Sequence, residues 1–124
     1  MPERRAVLLV DDDEAFRFAL AENLRDDGHA VRAVASPREI GSLDGSLDGV
    51  GIVITDYRMA PEDPDGLALA DAVHALHPDL PVVIVTAYAT PELAAQVAKR
   101  GHTHLSAKPI GYEELHELVL RLTA

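Results

Sequence analysis

Three consecutive carboxylates (Asp11, Asp12, Asp13), a single Asp56, Thr86 closing an aliphatic run and Lys108 followed by Pro109 are the residues of this chain best suited to chemistry. Counted from Asp56, Thr86 lies 30 residues on (86 − 56) and Lys108 lies 52 residues on (108 − 56). Carboxylates that converge on one crevice raise each other's pKa unless a cation intervenes, so this set implies a hard, oxygen-seeking ion. With few carboxylates and no imidazole among them, Mg²⁺ held by one or two carboxylates, water and a phosphoryl oxygen suits the donors. Asp56 then acts as a carboxylate nucleophile that accepts a phosphoryl group, while the Thr86 hydroxyl and the Lys108 ammonium bind the transferred oxygens. Lys108 needs no lowered pKa for this, because its positive charge is its use.

Such residues must be delivered to one place by the elements around them. Short apolar runs cover Ala6 to Val10, Val31 to Ala35, Gly51 to Thr55, Val82 to Thr86 and, more weakly, His104 to Ala107. Runs without strict alternation are buried on both faces, which predicts five strands of a parallel sheet. Between them, apolar residues recur at helical spacing. Phe16, Leu20 and Leu24 lead to Gly28; Leu69, Val73 and Leu76 stop before Pro78; Leu93 and Val97 follow Thr90-Pro91-Glu92 and close at Gly101; Leu115, Leu118, Val119 and Leu122 form the last stripe. Ser36-Pro37-Arg38-Glu39 has the pattern of a capping box and predicts the start of the second helix, with Gly41 to Gly49 as a flexible loop after it. Asp13 is expected to cap the first helix.

Alternating strands and helices predict a three-layer α/β domain with right-handed crossovers, one domain over 1–124 with its core at about 5–123. In an open parallel sheet, ligands sit beyond the carboxyl ends of the strands. The acids, Thr86 and Lys108 all stand at those ends.

Composition narrows the partners. The 124 residues carry 11 Lys+Arg against 21 Asp+Glu, a net charge of −10 that repels phosphate backbones, and the basic residues are scattered. No direct nucleic-acid contact is expected. The absence of cysteine excludes disulfides, thiolate zinc sites and a Cys nucleophile, and suits a reducing compartment. No apolar run approaches the roughly 20 residues of a membrane span, so no membrane insertion is expected. His74 with His77, and His102 with His104, have spacings a metal could use but no third ligand, and are read as surface histidines.

Val7-Leu8-Leu9-Val10-Asp11-Asp12-Asp13-Glu14, Ile52-Val53-Ile54-Thr55-Asp56-Tyr57-Arg58-Met59, Val83-Ile84-Val85-Thr86-Ala87-Tyr88 and Ala107-Lys108-Pro109 together resemble the receiver domain of two-component response regulators, from about Arg5 to the C-terminus. The resemblance implies a flavodoxin-like, doubly wound (βα)5 fold with strand order 2-1-3-4-5. It implies that Asp56 accepts the phosphoryl group from a histidine kinase or phosphotransfer protein, and that Asp11, Asp12, Asp56 and the backbone carbonyl of Arg58 hold Mg²⁺. Thr86 resembles the switch hydroxyl, Ala87 the small residue beside it, and Lys108 the lysine whose bond to proline is cis. Arg58 and Tyr88 stand where the family tunes loss of the phosphoryl group. A cytoplasmic location, a downstream protein target or output domain and a phosphorylation-dependent dimer belong to the same expectation. Activity would be confined to self-phosphorylation and slow hydrolysis of the acyl phosphate.

Two departures stand out. The segment Met59-Ala60-Pro61-Glu62-Asp63-Pro64-Asp65-Gly66 is two residues longer than the family's pattern, and Leu105 stands where an aromatic usually swings. They suggest an alternative, a receiver-like binding module that signals without phosphorylation, which the complete set of acids, Thr86 and Lys108 argues against. A haloacid-dehalogenase-like phosphatase would match Asp11 and Asp13 but not Ala15, where that family carries Thr or Val, and usually adds a cap domain.

Overall fold

The computed structural model describes residues 6–124; Arg5, where the core is expected to begin, lies outside the described residues. Five strands, β1 (Ala6–Val10), β2 (Val31–Val34), β3 (Val50–Thr55), β4 (Val82–Thr86) and β5 (Thr103–Ala107), form one parallel sheet in the order β2-β1-β3-β4-β5. Helices α1 (Glu14–Asp26), α2 (Leu43–Ser46), α3 (Gly66–Leu76) and α4 (Pro91–Ala98) lie in the four crossovers, and α5 (Tyr112–Leu122) follows β5. The order reverses between β1 and β3, where consecutive crossovers leave for opposite faces of the sheet.

Burial on both faces explains the unbroken apolar runs. Along the strands, Leu8, Val10, Val53, Val82 and Ile84 point to one face, against Leu69 and Val73 of α3 and Leu93 and Val97 of α4. The alternate residues Val7, Leu9, Ile52, Ile54, Val83 and Val85 point to the other face, against Leu20 and Leu24 of α1 and Leu115 and Val119 of α5. A buried side chain of this size contributes about 1.5–3 kcal/mol, so both layers are held to the sheet by many such terms.

Local signals set the helix ends. Asp13 caps α1 through a hydrogen bond from the Phe16 N–H, Asp65 caps α3 through the Ala68 N–H and Thr90 caps α4 through the Leu93 N–H. Beyond α1, Gly28 takes a φ of 94° that a side chain would resist, and its N–H closes the helix end on the Arg25 carbonyl.

The second crossover differs from the sequence expectation. Ser36 makes no side-chain cap bond, and Pro37–Ile40 is a single 3-10 turn that Gly41 ends at a φ of 75°. Helix α2 instead forms inside the segment expected to be a flexible loop. Its anchors are the leucines of the short repeat: Leu43 packs against the core and Leu47, one turn on, is buried. The repeat looked like a linker because glycines and serines dominate it, yet its two leucines fall at helical spacing.

Candidate phosphoryl-transfer site

Strand ends bring the predicted residues together. Backbone pairing continues past β1 and β3, where the Asp11 N–H donates to the Val34 carbonyl at 3.1 Å and the Asp56 N–H to the Val10 carbonyl at 2.9 Å. Asp11 and Asp56 are therefore positioned as the first residues beyond neighbouring strands. The Lys108 N–H donates to the Thr86 carbonyl at 2.9 Å, which ties the end of β5 to β4, and the bond from Lys108 to Pro109 is cis.

The Lys108 ammonium lies between two carboxylates, 2.9 Å from Asp11 Oδ2 and 3.4 Å from Asp56 Oδ2. Asp11 is 1 % exposed, and its other oxygen accepts the Asp13 N–H at 2.9 Å. Asp56 Oδ1 accepts the N–H of Tyr57 at 2.6 Å. Burial raises the Asp11 pKa; the hydrogen bond from Lys108 opposes this, and the like charge of Asp56 adds to it. For Lys108, burial by itself lowers the pKa, but the bond and charge of Asp11, with Asp56 behind them, prevail and hold the ammonium charged. A fixed positive charge is what binding a transferred phosphoryl group requires.

Carboxylate oxygens of Asp11, Asp12 and Asp56 lie within 4.8 Å of one another, and among the described residues no other group of three or more His, Asp or Glu comes together in this way. A cluster of oxygen donors with one exposed member, Asp12, fits a hard divalent cation such as Mg²⁺ that keeps part of its water shell. Arg58 and Met59 follow Asp56 and Tyr57 without regular structure, on the path to α3. The start of α3 presses on this path: the Gly66 N–H donates to the Tyr57 carbonyl at 2.8 Å.

Thr86 is fully buried, and its hydroxyl oxygen accepts the Tyr88 N–H at 3.1 Å. The next two residues turn outward. Tyr88 is 59 % exposed and meets the Arg58 guanidinium, which lies 5.3 Å from its ring centre and 6.0 Å from that of Tyr57. Leu105 is half-buried, packed beside the α3–α4 layer and lining a groove of about 500 Å³ with α4 and α5.

Some contributors carried no functional signal in the sequence. Phe16, read there only as part of the α1 stripe, has its ring 4.2 Å below the Lys108 ammonium and strengthens retention of that charge. Arg17 donates to the Asp11 carbonyl at 2.7 Å and steadies the loop after β1. Of the paired histidines, His74 bonds to the Leu80 carbonyl and His102 faces Asp79. A different pair meets, with Nε2 of His29 and His116 at 2.9 Å.

Comparison with known proteins gives a consistent picture. A family model described as the response regulator receiver domain matches residues 7–120. The C4-dicarboxylate transport transcriptional regulatory protein DctD of Rhizobium meliloti is 40 % identical over 111 residues, 89 % of this chain and 23 % of that protein. The transcriptional regulatory protein ZraR of Escherichia coli is 34 % identical over 110 residues, 88 % of this chain and 24 % of that protein. The chain thus spans about a quarter of the length of these curated relatives. Among solved structures, a response regulator receiver protein from Pseudomonas putida superposes with a TM-score of 0.85 at 30 % identity, covering 98 % of this chain and 99 % of that one. The chemotaxis protein CheY4 of Vibrio cholerae gives 0.82 at 25 % identity, covering 95 % and 98 %.

Proposed function

The chain belongs to the response regulator receiver family of two-component systems, and from that premise we propose that Asp56 is its phosphoryl acceptor. The observation that carries the proposal is the Lys108 ammonium shared by Asp11 and Asp56 at the carboxyl edge of the sheet, beside three converging carboxylates.

An Asp56 carboxylate oxygen forms a bond to phosphorus while the phosphorus–nitrogen bond of a phosphohistidine breaks. The imidazole leaves with that electron pair and takes up a proton, and an acyl phosphate remains on Asp56. Asp11, Asp12, Asp56 and the carbonyl of Arg58 would hold Mg²⁺, which neutralises charge on the transferred group. Lys108 is already placed to exchange its contact with Asp56 for a phosphoryl oxygen. The Thr86 hydroxyl oxygen accepts the Tyr88 N–H and keeps its own O–H to donate to the same group, so Thr86 links the phosphoryl group to the backbone after β4.

The donor is a histidine kinase or phosphotransfer protein, and the output is contact with a protein target or output domain, or between two phosphorylated copies. The receiver domain matched over residues 7–120 acts, in this proposal, in the cytoplasm. No helix among the described residues is long and apolar enough to cross a membrane, and the charge of −10 disfavours direct contact with nucleic acid.

Incubation with a small phosphodonor and Mg²⁺, followed by mass spectrometry of the labile adduct, tests the assignment. One phosphoryl group per chain is expected on Asp56 and none in Asp56→Asn. Labelling at the wild-type level in Asp56→Asn refutes it.

A further inference from the structure

The segment from Met59 to Asp65, two residues longer than the family pattern, is tied down at its base and at its crest. At the base, Gly66 bonds to the Tyr57 carbonyl, and the Asp63 N–H closes a turn on the Ala60 carbonyl at 2.8 Å. At the crest, the Asp63 side chain is only 4 % exposed, although it belongs to a surface loop. Its Oδ1 accepts two bonds from Arg38, from Nε at 3.3 Å and Nη2 at 3.0 Å, and the same Nη2 lies 3.3 Å from Glu62. A carboxylate withdrawn from water needs such a partner, and a guanidinium fork fixes orientation as well as charge.

Arg38 sits in the 3-10 turn after β2, so the pair joins the two loops that flank the acidic cluster. Ser36 and Arg38 on one side and Ala60 and Asp63 on the other line an open cleft of about 510 Å³, and Asp12 lines it with them. The short 3-10 turn that replaces a regular helical start leaves Arg38 facing the extended loop.

We propose that Arg38 is a positioning residue for the phosphoryl site: through Asp63 it fixes the extended loop beside Asp12, and with it the backbone at Arg58 that completes the acidic pocket. The proposal rests on the reading that Asp11, Asp12, Asp56 and the Arg58 carbonyl hold Mg²⁺. It accounts for the tolerance of a longer loop at a place where the chain must present a carbonyl accurately, since added residues without a tie would increase the number of loop conformations.

Calorimetric titration of Mg²⁺ into the full chain, with amide hydrogen exchange over residues 59–65, tests it in wild type, Arg38→Gln, Asp63→Asn, the double variant, Arg38→Lys and an Asp12→Ala control. Arg38→Gln and Asp63→Asn are each expected to weaken Mg²⁺ binding by about fivefold, short of the roughly tenfold or more seen when a group bonded directly to a metal ligand is lost. The double variant is expected to be no weaker than either single one, Arg38→Lys to recover part of the loss, and exchange over 59–65 to quicken in both single variants while thermal melts stay close to wild type. Charge acting through space predicts opposite signs instead, with Arg38→Gln binding Mg²⁺ more tightly and Asp63→Asn less. That pattern, or unchanged affinity in both while Asp12→Ala loses binding, overturns the proposal. Wild-type affinity in Asp12→Ala is a separate result, which refutes the underlying metal reading.

Discussion

Gly66 is the residue at which one added methyl group should do the most damage. An ideal Cβ there would lie 2.6 Å from the Asp56 carbonyl oxygen and 3.1 Å from the Tyr57 Cα, and both are backbone atoms. Ordinary contact begins at 3.4 Å, so relief requires a shift of about 0.8 Å. The Asp56 peptide cannot move freely, because its N–H is bonded to Val10 and its carbonyl accepts the Thr55 hydroxyl at 2.9 Å. Overpacking of this kind costs about 1–3 kcal/mol, against which alanine recovers at most about 1 kcal/mol in helix propensity. A net loss of about 1–2 kcal/mol corresponds to a fall in Tm of roughly 4–10 °C for a domain of this length. The atoms displaced belong to Asp56, the proposed phosphoryl acceptor, and a misplacement approaching 1 Å slows a positioned reaction by about 10- to 100-fold. Gly66→Ala should therefore lose both stability, read by thermal melting, and labelling rate, read with a small phosphodonor. Gly45→Ala is the control: nothing lies within 4 Å of its Cβ, and it sits in α2, so its Tm should hold or rise. A Gly66→Ala protein with wild-type Tm and labelling rate would show that the contact between α3 and the acceptor strand does not constrain the site.

Mg²⁺ at 100 times its dissociation constant should stabilise the wild type by about 2.7 kcal/mol and leave Asp12→Ala nearly unshifted, while metal-free Asp12→Ala melts at or above wild type because one like charge has gone; equal shifts in the two proteins would contradict the metal site. His104, half-buried in β5, has its pKa lowered by burial, with Arg121 and His102 adding to the effect. Its folded form binds fewer protons than the unfolded chain, so the stability it contributes is present above about pH 6.5 and lost as pH falls through the lower folded value. Melts of His104→Gln should lose less than wild type between pH 7 and pH 5, and parallel losses would refute this.

The strands and the acidic site could be read from sequence for one shared reason. Residues buried on both faces of a parallel sheet are apolar almost throughout, so Val7 to Val10 and Val82 to Val85 announce themselves, and each run stops at or within one residue of the end of its strand. Whatever follows the stop is placed at the carboxyl edge by that fact alone. Asp11 and Asp56 were therefore identifiable from order and spacing, whereas Lys108 follows β5, a partly buried strand of sequence Thr-His-Leu-Ser-Ala, and stood out by its Lys-Pro pair and its distance from Asp56 instead. The second crossover was not. Ser36-Pro37-Arg38-Glu39 has the letters of a capping box, but Gly41 cuts the turn short and the anchoring leucines, Leu43 and Leu47, lie in a stretch whose composition reads as linker.

The remaining contacts join residues far apart in the chain through side chains of ordinary type. Phe16 beneath Lys108, Arg38 on Asp63 and His29 against His116 each depend on the angle at which a helix or loop crosses its neighbour. Periodicity states which face of a helix is buried, and spacing states which residues end a strand. Neither states which side chain of one element meets which side chain of another, because that is settled by packing volumes and by the partners that buried charges such as Asp11 and Asp63 must find.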